Sequence, residues 1–222
     1  MATADEARDA FSQIYETDAW EGGSGVGSAK DATVPYRAVL ARLLNARDIH
    51  SVLDIGCGDW QMGSLMDWSS VSYTGVDVVP AVIEQDARRH AGTGVRFHIA
   101  DARTDHLPDA DLLLAKDVLQ HWPTVEIQAF LAQVLSRYRY VLLTNDVASA
   151  HWPEPVNEDM VLGGWRTLDL EANPFFRPAA WRLDYDVRGE WTKRVLLYAS
   201  PAARRARWLP GSALWRLTSP PH

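Results

Sequence analysis

Three acidic residues and one glycine turn stand where a sheet can hold a ligand. Asp54 precedes the turn from Gly56 to Gly58, and Asp77 and Asp101 each end a short apolar run. Glycine in such a turn lets backbone N–H groups approach a ligand that a side chain would block. Each acid alone could cap a helix, but ligands bind at the carboxyl ends of parallel strands. Three acids at three successive strand ends therefore indicate one binding site.

The same residues suit the parts of an adenosine-containing ligand. A carboxylate such as Asp77, at the end of the second strand, can accept two hydrogen bonds from ribose hydroxyls. Asp101 and the small Ala102 can frame an adenine edge. A dinucleotide fingerprint needs a third glycine where Gln61 stands, so a pyrophosphate site is not predicted. Asp54, two residues before the first glycine, suits a ligand that carries an ammonium group.

A second polar group follows the fourth apolar run. Asp117, Gln120 and His121 stand at i, i+3 and i+4, so one helical turn would project them from one face. The ordinary pKa of histidine suits a general base, and Asp117 is available to orient His121. The sequence is equally compatible with a His121 that only caps or packs the turn. The neighbouring Lys116 could pair with an acidic group of a substrate or stay solvated.

Apolar runs and amphipathic stretches alternate along the chain, which is typical of a parallel sheet with helical crossovers. The last two runs favour an antiparallel hairpin that turns at Arg188 and Gly189. The predicted class is α/β, a Rossmann-like three-layer sandwich whose mostly parallel sheet has a final antiparallel hairpin strand. Strands are predicted at 51–55, 73–77, 96–101, 111–115, 140–144, 181–187 and 194–200, and helical stretches at 34–45, 81–90 and about 124–136.

As an ordered set, these motifs resemble those of class I S-adenosylmethionine-dependent methyltransferases of the small-molecule type. The resemblance covers residues 51–146 and rests on the segments 53–58, 75–77 and 100–102. It implies S-adenosylmethionine as the cofactor, with its methionine moiety at the glycine turn, its ribose at Asp77 and its adenine at Asp101 and Ala102. The candidate cofactor-binding residues are Asp54, Gly56, Cys57, Gly58, Asp77, Val78, Asp101, Ala102 and Lys116.

The expected reaction is methyl transfer by in-line displacement to an oxygen or nitrogen of a small polar acceptor, a saccharide or a specialised metabolite. A sulfonium donor is already activated, so the reaction needs chiefly alignment of the reacting atoms. His121 is the candidate general base if the acceptor must lose a proton, with Asp117 as its catalytic partner. The candidate substrate-binding residues are Tyr15, Trp20, Gln120, Trp122, Asn145, Trp165 and Arg166, and Ser28 is a further candidate lid residue.

Organisation along the chain predicts one methyltransferase domain over residues 1–203. Within it, residues 1–33 are expected to form an N-terminal lid, because a glycine- and serine-rich loop flanked by aromatics precedes the core. Residues 147–180 lack clear periodicity and are expected to form a substrate loop. Residues 204–222 contain four arginines and no acid, which predicts a basic C-terminal tail.

Three alternatives follow from the same residues. A noncatalytic adenosyl-ligand binding protein would keep the binding motifs without turnover, and a dehydrogenase would bind NAD tightly. Asp117 with Asn145 and Asp146 is similar to the magnesium-binding set of catechol-type O-methyltransferases, and such oxygen ligands suit Mg²⁺. The order of these residues is reversed here, so no metal is expected.

Composition limits the partners. The chain has 222 residues, a formal net charge of −7, one cysteine and ten tryptophans. An acidic chain offers no footprint for a polyphosphate backbone, and no apolar run approaches the length of a membrane span. We expect a cytoplasmic protein with a small-molecule acceptor, without nucleic acid or membrane partners, and leave a homodimer open. Five tryptophans are expected to form walls and lids of the pocket: Trp20, Trp60, Trp122, Trp152 and Trp165.

Overall fold

One seven-stranded sheet organises the computed structural model, which describes residues 2–46, 48–149, 151, 157–201 and 203. Its strands are β1 Ser51–Ile55, β2 Ser72–Asp77, β3 Arg96–Ile99, β4 Leu112–Lys116, β5 Tyr140–Ser149, β6 Trp181–Val187 and β7 Trp191–Ala199. The order across the sheet is β3-β2-β1-β4-β5-β7-β6. Strands β1 to β5 are parallel, and β7 is antiparallel to both β5 and β6. The predicted fold class is confirmed.

Two hydrophobic clusters cover opposite faces of the sheet. Side chains alternate across a strand, so Leu112 and Leu114 of β4 face one cluster while Leu113 and Ala115 face the other. The first cluster includes the buried face of helix α2, Val34–Ala46, and the second that of helix α4, Thr124–Arg137. Helix α3, Pro80–Arg89, packs mainly beside β2 and β3. These layers match the predicted sandwich.

The first helix, α1, spans Ala4–Glu16 and was not predicted as a helix. A capping box begins it: the Thr3 hydroxyl accepts from the Glu6 N–H at 3.2 Å, and the Glu6 carboxylate accepts from the Thr3 N–H at 2.7 Å. This Thr-x-x-Glu pattern is a helix-start signal that is readable in the sequence.

Most predicted elements lie within a few residues of their observed bounds, but two strands differ. Strand β5 continues five residues beyond the predicted end at residue 144 and includes Asn145 and Asp146. Strand β7 begins at Trp191 instead of residue 194. Polar residues dominate both extensions, which pair with each other beside the cavity. Hydrophobic patterning does not detect strand segments made of polar residues. The hairpin turns where predicted, at Arg188 and Gly189, both with positive φ.

No helix within the described ranges is long and apolar enough to span a bilayer. The predicted basic tail, residues 204–222, lies outside the described residues.

Candidate active site

A cavity of about 430 Å³ opens at the carboxyl ends of β1, β2 and β4. It brings together most of the residues that the sequence assigned to the donor and to the acceptor. Segments far apart in the chain close it, since α1, the loop at 24–28 and the β6–β7 hairpin all contribute to its wall. The predicted residues that line it are Tyr15, Trp20, Ser28, Asp54, Gly56, Cys57, Asp77, Val78, Asp101, Ala102, Lys116, Asp117, Gln120, His121, Trp122 and Trp165.

The glycine turn packs too closely for side chains. Gly56 has φ +62, and an added Cβ would lie 2.5 Å from a methyl of Val118. Gly58 has φ +56 and does not line the cavity. A Cβ there would lie 2.1 Å from Ser24 Oγ and 2.8 Å from the Tyr15 hydroxyl. Glycine at both positions therefore lets β1 turn sharply and lets the N-terminal segment sit directly on the turn.

Two buried acids stand at the ends of β1 and β2. Asp54 accepts a hydrogen bond of 2.6 Å from the Tyr73 hydroxyl and has no ion pair within the described residues. Burial raises the pKa of Asp54 to about 7. Asp77 accepts from the N–H groups of Gly58 and Val79, both at 3.0 Å, while burial raises its pKa. Neither carboxylate forms an ion pair with a described residue. This end of the cavity, which is called the donor end below because the sequence assigned Asp54 and Asp77 to the donor, therefore favours a positively charged ligand.

Asp101 differs from Asp54 and Asp77 because it forms an ion pair. Arg103 donates to both of its oxygens, at 3.0 Å from Nε and 2.7 Å from Nη2. The sequence placed the adenine beside Asp101 and Ala102, and both residues do line the cavity. The carboxylate of Asp101, however, already accepts a bidentate pair from a guanidinium.

The N-terminal segment, which the sequence predicts to be a lid, contacts the glycine turn through Tyr15 and Ser24. The Tyr15 hydroxyl and Ser24 Oγ lie 2.9 Å apart, and Ser24 Oγ accepts from the Asp59 N–H at 3.1 Å. The ring of Trp20 lies 4.8 Å from that of His121, tilted by 35°. The lid thus contacts both the glycine turn and the candidate base.

His121 is held by the substrate loop and not by Asp117. Its Nδ1 lies 2.7 Å from the Gly164 carbonyl oxygen, and the Gly163 N–H donates to the His121 carbonyl at 2.9 Å. A carbonyl oxygen only accepts, so the proton resides on Nδ1 and Nε2 carries the lone pair. Burial lowers the pKa of His121, which keeps the ring neutral. In this structure the imidazole contacts the Gly164 carbonyl, and no hydrogen bond joins it to Asp117, so the orienting role of Asp117 stays a prediction.

Asp117 belongs to a buried charge network. Its Oδ2 accepts from Lys116 at 2.6 Å and from Lys193 at 2.8 Å, and Lys193 also donates to Asp146 at 2.7 Å. Burial opposes ionisation of Asp117, but the two ammonium groups lower its pKa to about 2. Gln120 donates to Asp146 at 2.9 Å and accepts from the Asp146 N–H at 2.8 Å. Two lysines and two aspartates therefore balance at the acceptor end.

The backbone places Asp117 apart from the predicted helical turn. Asp117 has φ +58, and the short helical turn covers only Leu119–His121. The three predicted polar residues still line one cavity, because the left-handed residue redirects the chain before the turn begins. Lys193 was missed. No local pattern marks it, since only the register of β5 with β7 sets it opposite Asp146.

Two predicted substrate residues lie outside the cavity. Asn145 points away from Asp146 along β5, and its Oδ1 is buried without a partner among the described residues. Arg166 donates to the carbonyls of Trp122 and Glu158 and to Thr124 Oγ1, so it fastens the loop to the start of α4. The structure therefore places Asn145 and Arg166 apart from the other predicted substrate residues, and their substrate roles stay predictions.

The magnesium alternative does not fit this geometry. The ammonium of Lys193 lies between Asp117 and Asp146 and donates to both. Asn145 turns away from them. Among the described residues no group of three or more metal-ligating side chains is arranged to hold an ion.

The tryptophans divide between wall and core. Trp165 and Trp191 line the cavity with ring centroids 5.2 Å apart, and Trp165 Nε1 donates to Asp146 at 3.3 Å. Trp60, predicted as a wall, instead packs edge-on against His90, at 4.3 Å between ring centroids. Trp152 lies outside the described residues.

Comparisons with known proteins point to a methyltransferase domain. Residues 52–139 match a family model described as a methyltransferase domain. The chain is 34% identical over 131 residues to trans-aconitate 2-methyltransferase of Enterobacter sp. (strain 638), over 58% of this chain and 48% of that protein. A methyltransferase of Mycobacterium tuberculosis is 34% identical over 82 residues, over 35% of this chain and 46% of that protein. The chain thus spans about half the length of the curated relatives it matches.

Solved structures share the fold at low sequence identity. The N-methyltransferase NodS from Bradyrhizobium japonicum, in complex with S-adenosylhomocysteine, has a TM-score of 0.61 at 12% identity, over 88% of this chain and 98% of that one. Magnesium protoporphyrin IX methyltransferase from Synechocystis, with bound S-adenosylhomocysteine, has a TM-score of 0.59 at 17% identity, over 89% of this chain and 100% of that one.

Sheet order and the glycine turn after β1 define a Rossmann-like fold. The family match makes this more specific: residues 52–139 match the model of a methyltransferase domain, and the fold is shared with solved methyltransferases that bind S-adenosylhomocysteine. The resemblance predicted from the motifs is confirmed.

Proposed function

We propose that this protein transfers the methyl group of S-adenosylmethionine to an oxygen or nitrogen of a small, uncharged polar acceptor. One observation carries the proposal. A single cavity joins the glycine turn and the strand-end acids to a neutral histidine and an aromatic, charge-balanced wall. A donor site and an acceptor site that share one cavity can hold two reactants in line, and alignment is the main requirement of this reaction.

The residues of the donor end fit S-adenosylmethionine. Asp54, buried without an ion pair among the described residues, suits the ammonium of the methionine moiety. Asp77 suits the ribose hydroxyls, and Val78 and Ala102 offer apolar contacts for the adenine. When bound, the cofactor supplies a methyl group on a sulfonium, which is already activated for displacement.

His121 suits the role of general base. Its Nδ1–H is held by the Gly164 carbonyl, so Nε2 is the nitrogen that can receive a proton from an acceptor hydroxyl or amine. Burial lowers the pKa of His121 and keeps the base form present at neutral pH. The Trp20 ring, which lies against the imidazole, limits water at this position.

The charge balance of the acceptor end favours a neutral acceptor. Lys116 and Lys193 are both engaged by Asp117, and Lys193 also by Asp146. Arg103, the arginine among the described residues that line the cavity, forms ion pairs with the carboxylates of Asp101 and Glu126. A carboxylated acceptor would have to break one of these buried pairs, which is costly. Aromatic walls instead suit the flat or ring-shaped body of a hydroxylated compound.

The decisive experiment is label transfer from methyl-labelled S-adenosylmethionine into a metabolite extract that has first been separated on an anion-exchange resin. We expect labelled product from the unretained fraction, which contains the neutral and cationic metabolites but not the anionic ones. Label in the retained fraction would contradict the neutral acceptor. Saturable donor binding without any transfer would identify a binding protein and overturn the enzymatic function.

The base assignment has its own variant pair. His121→Ala is expected to lower turnover at least tenfold while the Kd for S-adenosylhomocysteine stays within about twofold. His98→Ala removes an exposed histidine on β3 and is the matched control, with unchanged turnover. Full turnover by the His121 variant would remove it from the base role.

A further inference from the structure

A buried cluster around Arg103, the Arg103 cluster, joins three parts of the chain beside the donor end. Arg103 donates to both oxygens of Asp101, and its Nη1 donates to Glu126 Oε2 of helix α4 at 2.7 Å. The side chains of Arg103, Asp101 and Glu126 are 2%, 5% and 1% exposed. One guanidinium thus links the end of β3 to the start of α4.

The same cluster holds the amino end of helix α1. Arg103 Nη2 donates to the Thr3 carbonyl at 3.2 Å, and Glu126 Oε1 accepts from the Ala2 N–H at 3.0 Å. Thr3 is the N-cap of α1, so both contacts fix the point where this helix begins. The planar fork of arginine suits such a site because it reaches several acceptors at fixed angles.

Helix α1 runs from this cluster to the glycine turn. Ala7, Phe11 and Tyr15 of α1 line the cavity, and the Tyr15 hydroxyl packs on Gly58. The helix therefore crosses the donor end. Its far end is held by the contacts of Tyr15 with Ser24, and its near end by the Arg103 cluster.

We propose that Arg103 is a positioning residue that fastens α1 across the donor end of the cavity and so slows donor release, an inference that rests on the proposed function. Asp101 would then hold Arg103 in place for helix α1, in addition to lying beside the adenine. The resemblance implies an acid that is available to the adenine, whereas here both of its oxygens accept from Arg103. Loss of the guanidinium would free the amino end of α1 and so open the donor end of the cavity.

The test measures α1 directly and the donor separately. Hydrogen exchange over residues 4–16 reports the fastening, and the dissociation rate of S-adenosylhomocysteine reports its consequence. In Arg103→Gln we expect about tenfold or faster exchange in α1 and about tenfold faster release, the scale of a lost hydrogen bond between charged groups. Amides of β1 and β4 are the internal reference for global stability.

Two further variants make the result specific. Arg103→Lys keeps the charge but cannot span three acceptors, so it should shift both rates in the same direction by less; it also serves if the glutamine variant does not fold. Arg137→Gln is the matched control: Arg137 also bridges a carboxylate, Asp109, and a carbonyl, that of Leu107, but at the end of α4. It should leave both rates unchanged.

Each outcome decides. Unchanged exchange in α1 for the folded Arg103 variants overturns the fastening, and faster exchange with unchanged release overturns its effect on the donor. If the unaltered protein does not bind S-adenosylhomocysteine, the proposed function fails and the effect on the donor falls with it. The exchange measurement then still decides whether Arg103 holds the helix.

Discussion

The aspartates at the two ends of the cavity differ in whether they form ion pairs. At the donor end, Asp54 and Asp77 are buried and form no ion pair within the described residues. At the acceptor end, each aspartate shares a lysine ammonium, and His121 is neutral. A cationic ligand therefore gains from the first end and a neutral one from the second. This asymmetry is what a methyl donor with a sulfonium and an ammonium requires, together with an uncharged acceptor.

Asp77 offers the most direct test of the donor end. Asp77→Ala removes the carboxylate oxygens that we propose for the ribose hydroxyls and leaves the Gly58 N–H without its acceptor. We expect the Kd for S-adenosylhomocysteine to rise about tenfold or more, measured by calorimetry. Asp67→Ala, at an exposed loop position, is the control and should bind normally. Equal affinity in the two variants would exclude Asp77 from the ribose role.

Asp86 of α3 predicts a dependence of stability on pH. It is 1% exposed, and neither carboxylate oxygen has a partner among the described residues. Burial, with the nearby charge of Asp59, raises the pKa of Asp86 to about 7. The unfolded chain ionises this group from about pH 4. The native state therefore loses relative stability as the pH rises from about 4 to 7, and the loss is then constant.

Asp86→Asn removes this ionisation with little change of shape. We expect the variant to gain stability relative to the unaltered protein at pH 8, by about 1–3 kcal/mol more than at pH 5. Denaturant unfolding at the two pH values measures the difference. A difference between the two proteins that does not change with pH would show that the carboxyl titrates normally.

Among the elements, those with periodic apolar residues could be predicted from the sequence. Helix α4 and strand β6 coincide closely with their predicted bounds because each buries a regular face, and β1 does so because it is a short apolar run closed by Gly56. The polar end of β5 could not be predicted this way. Its residues are buried because β7 pairs with them over the site, and that pairing joins segments about 50 positions apart.

The site followed the same division. Residues at strand ends were predictable because chain order and sheet topology fix their meeting point. Lys193, which balances two aspartates, was not, because its partners come from β4 and β5 and only the tertiary register aligns them. The orientation of His121 likewise depends on a loop carbonyl 43 residues away.

The close contact between the glycine turn and the N-terminal segment leads to a prediction about Gly58. Gly58→Ala would place a methyl against Ser24 Oγ and the Tyr15 hydroxyl, in addition to the strain of a positive φ. Gly92→Ala is the matched control, because Gly92 has φ +82 and nothing within 4 Å of an added Cβ. The strain of a positive φ should cost both variants about 1 kcal/mol of unfolding free energy, and the contact with Ser24 and Tyr15 should make the loss larger in Gly58→Ala. Only the first should also bind S-adenosylhomocysteine about tenfold more weakly. Equal affinity of the two variants for S-adenosylhomocysteine would show that the N-terminal segment moves away from the turn without any effect on ligand binding.

Over the whole molecule, two segments that are distant in sequence meet above the cavity. An added Cβ on Gly163 of the substrate loop would lie 3.5 Å from Ala10 of α1, so these two covers are in contact. The loop also positions His121, and the helix crosses the donor end. Occupancy of the cavity should therefore stabilise the packing of both covers against the sheet.

Linkage turns this arrangement into a measurable shift. A ligand at 100 times its Kd stabilises the native state by about 2.7 kcal/mol, which for a domain of this size raises Tm by about 5–10 °C. We expect S-adenosylhomocysteine to produce such a shift in a thermal scan. In Asp77→Ala at the same ligand concentration, a tenfold weaker Kd reduces the stabilisation to about 1.4 kcal/mol, so the shift should fall by roughly half. An undiminished shift would mean that Asp77 contributes nothing to the affinity for the ligand, because the shift depends on Kd alone at a fixed ligand concentration.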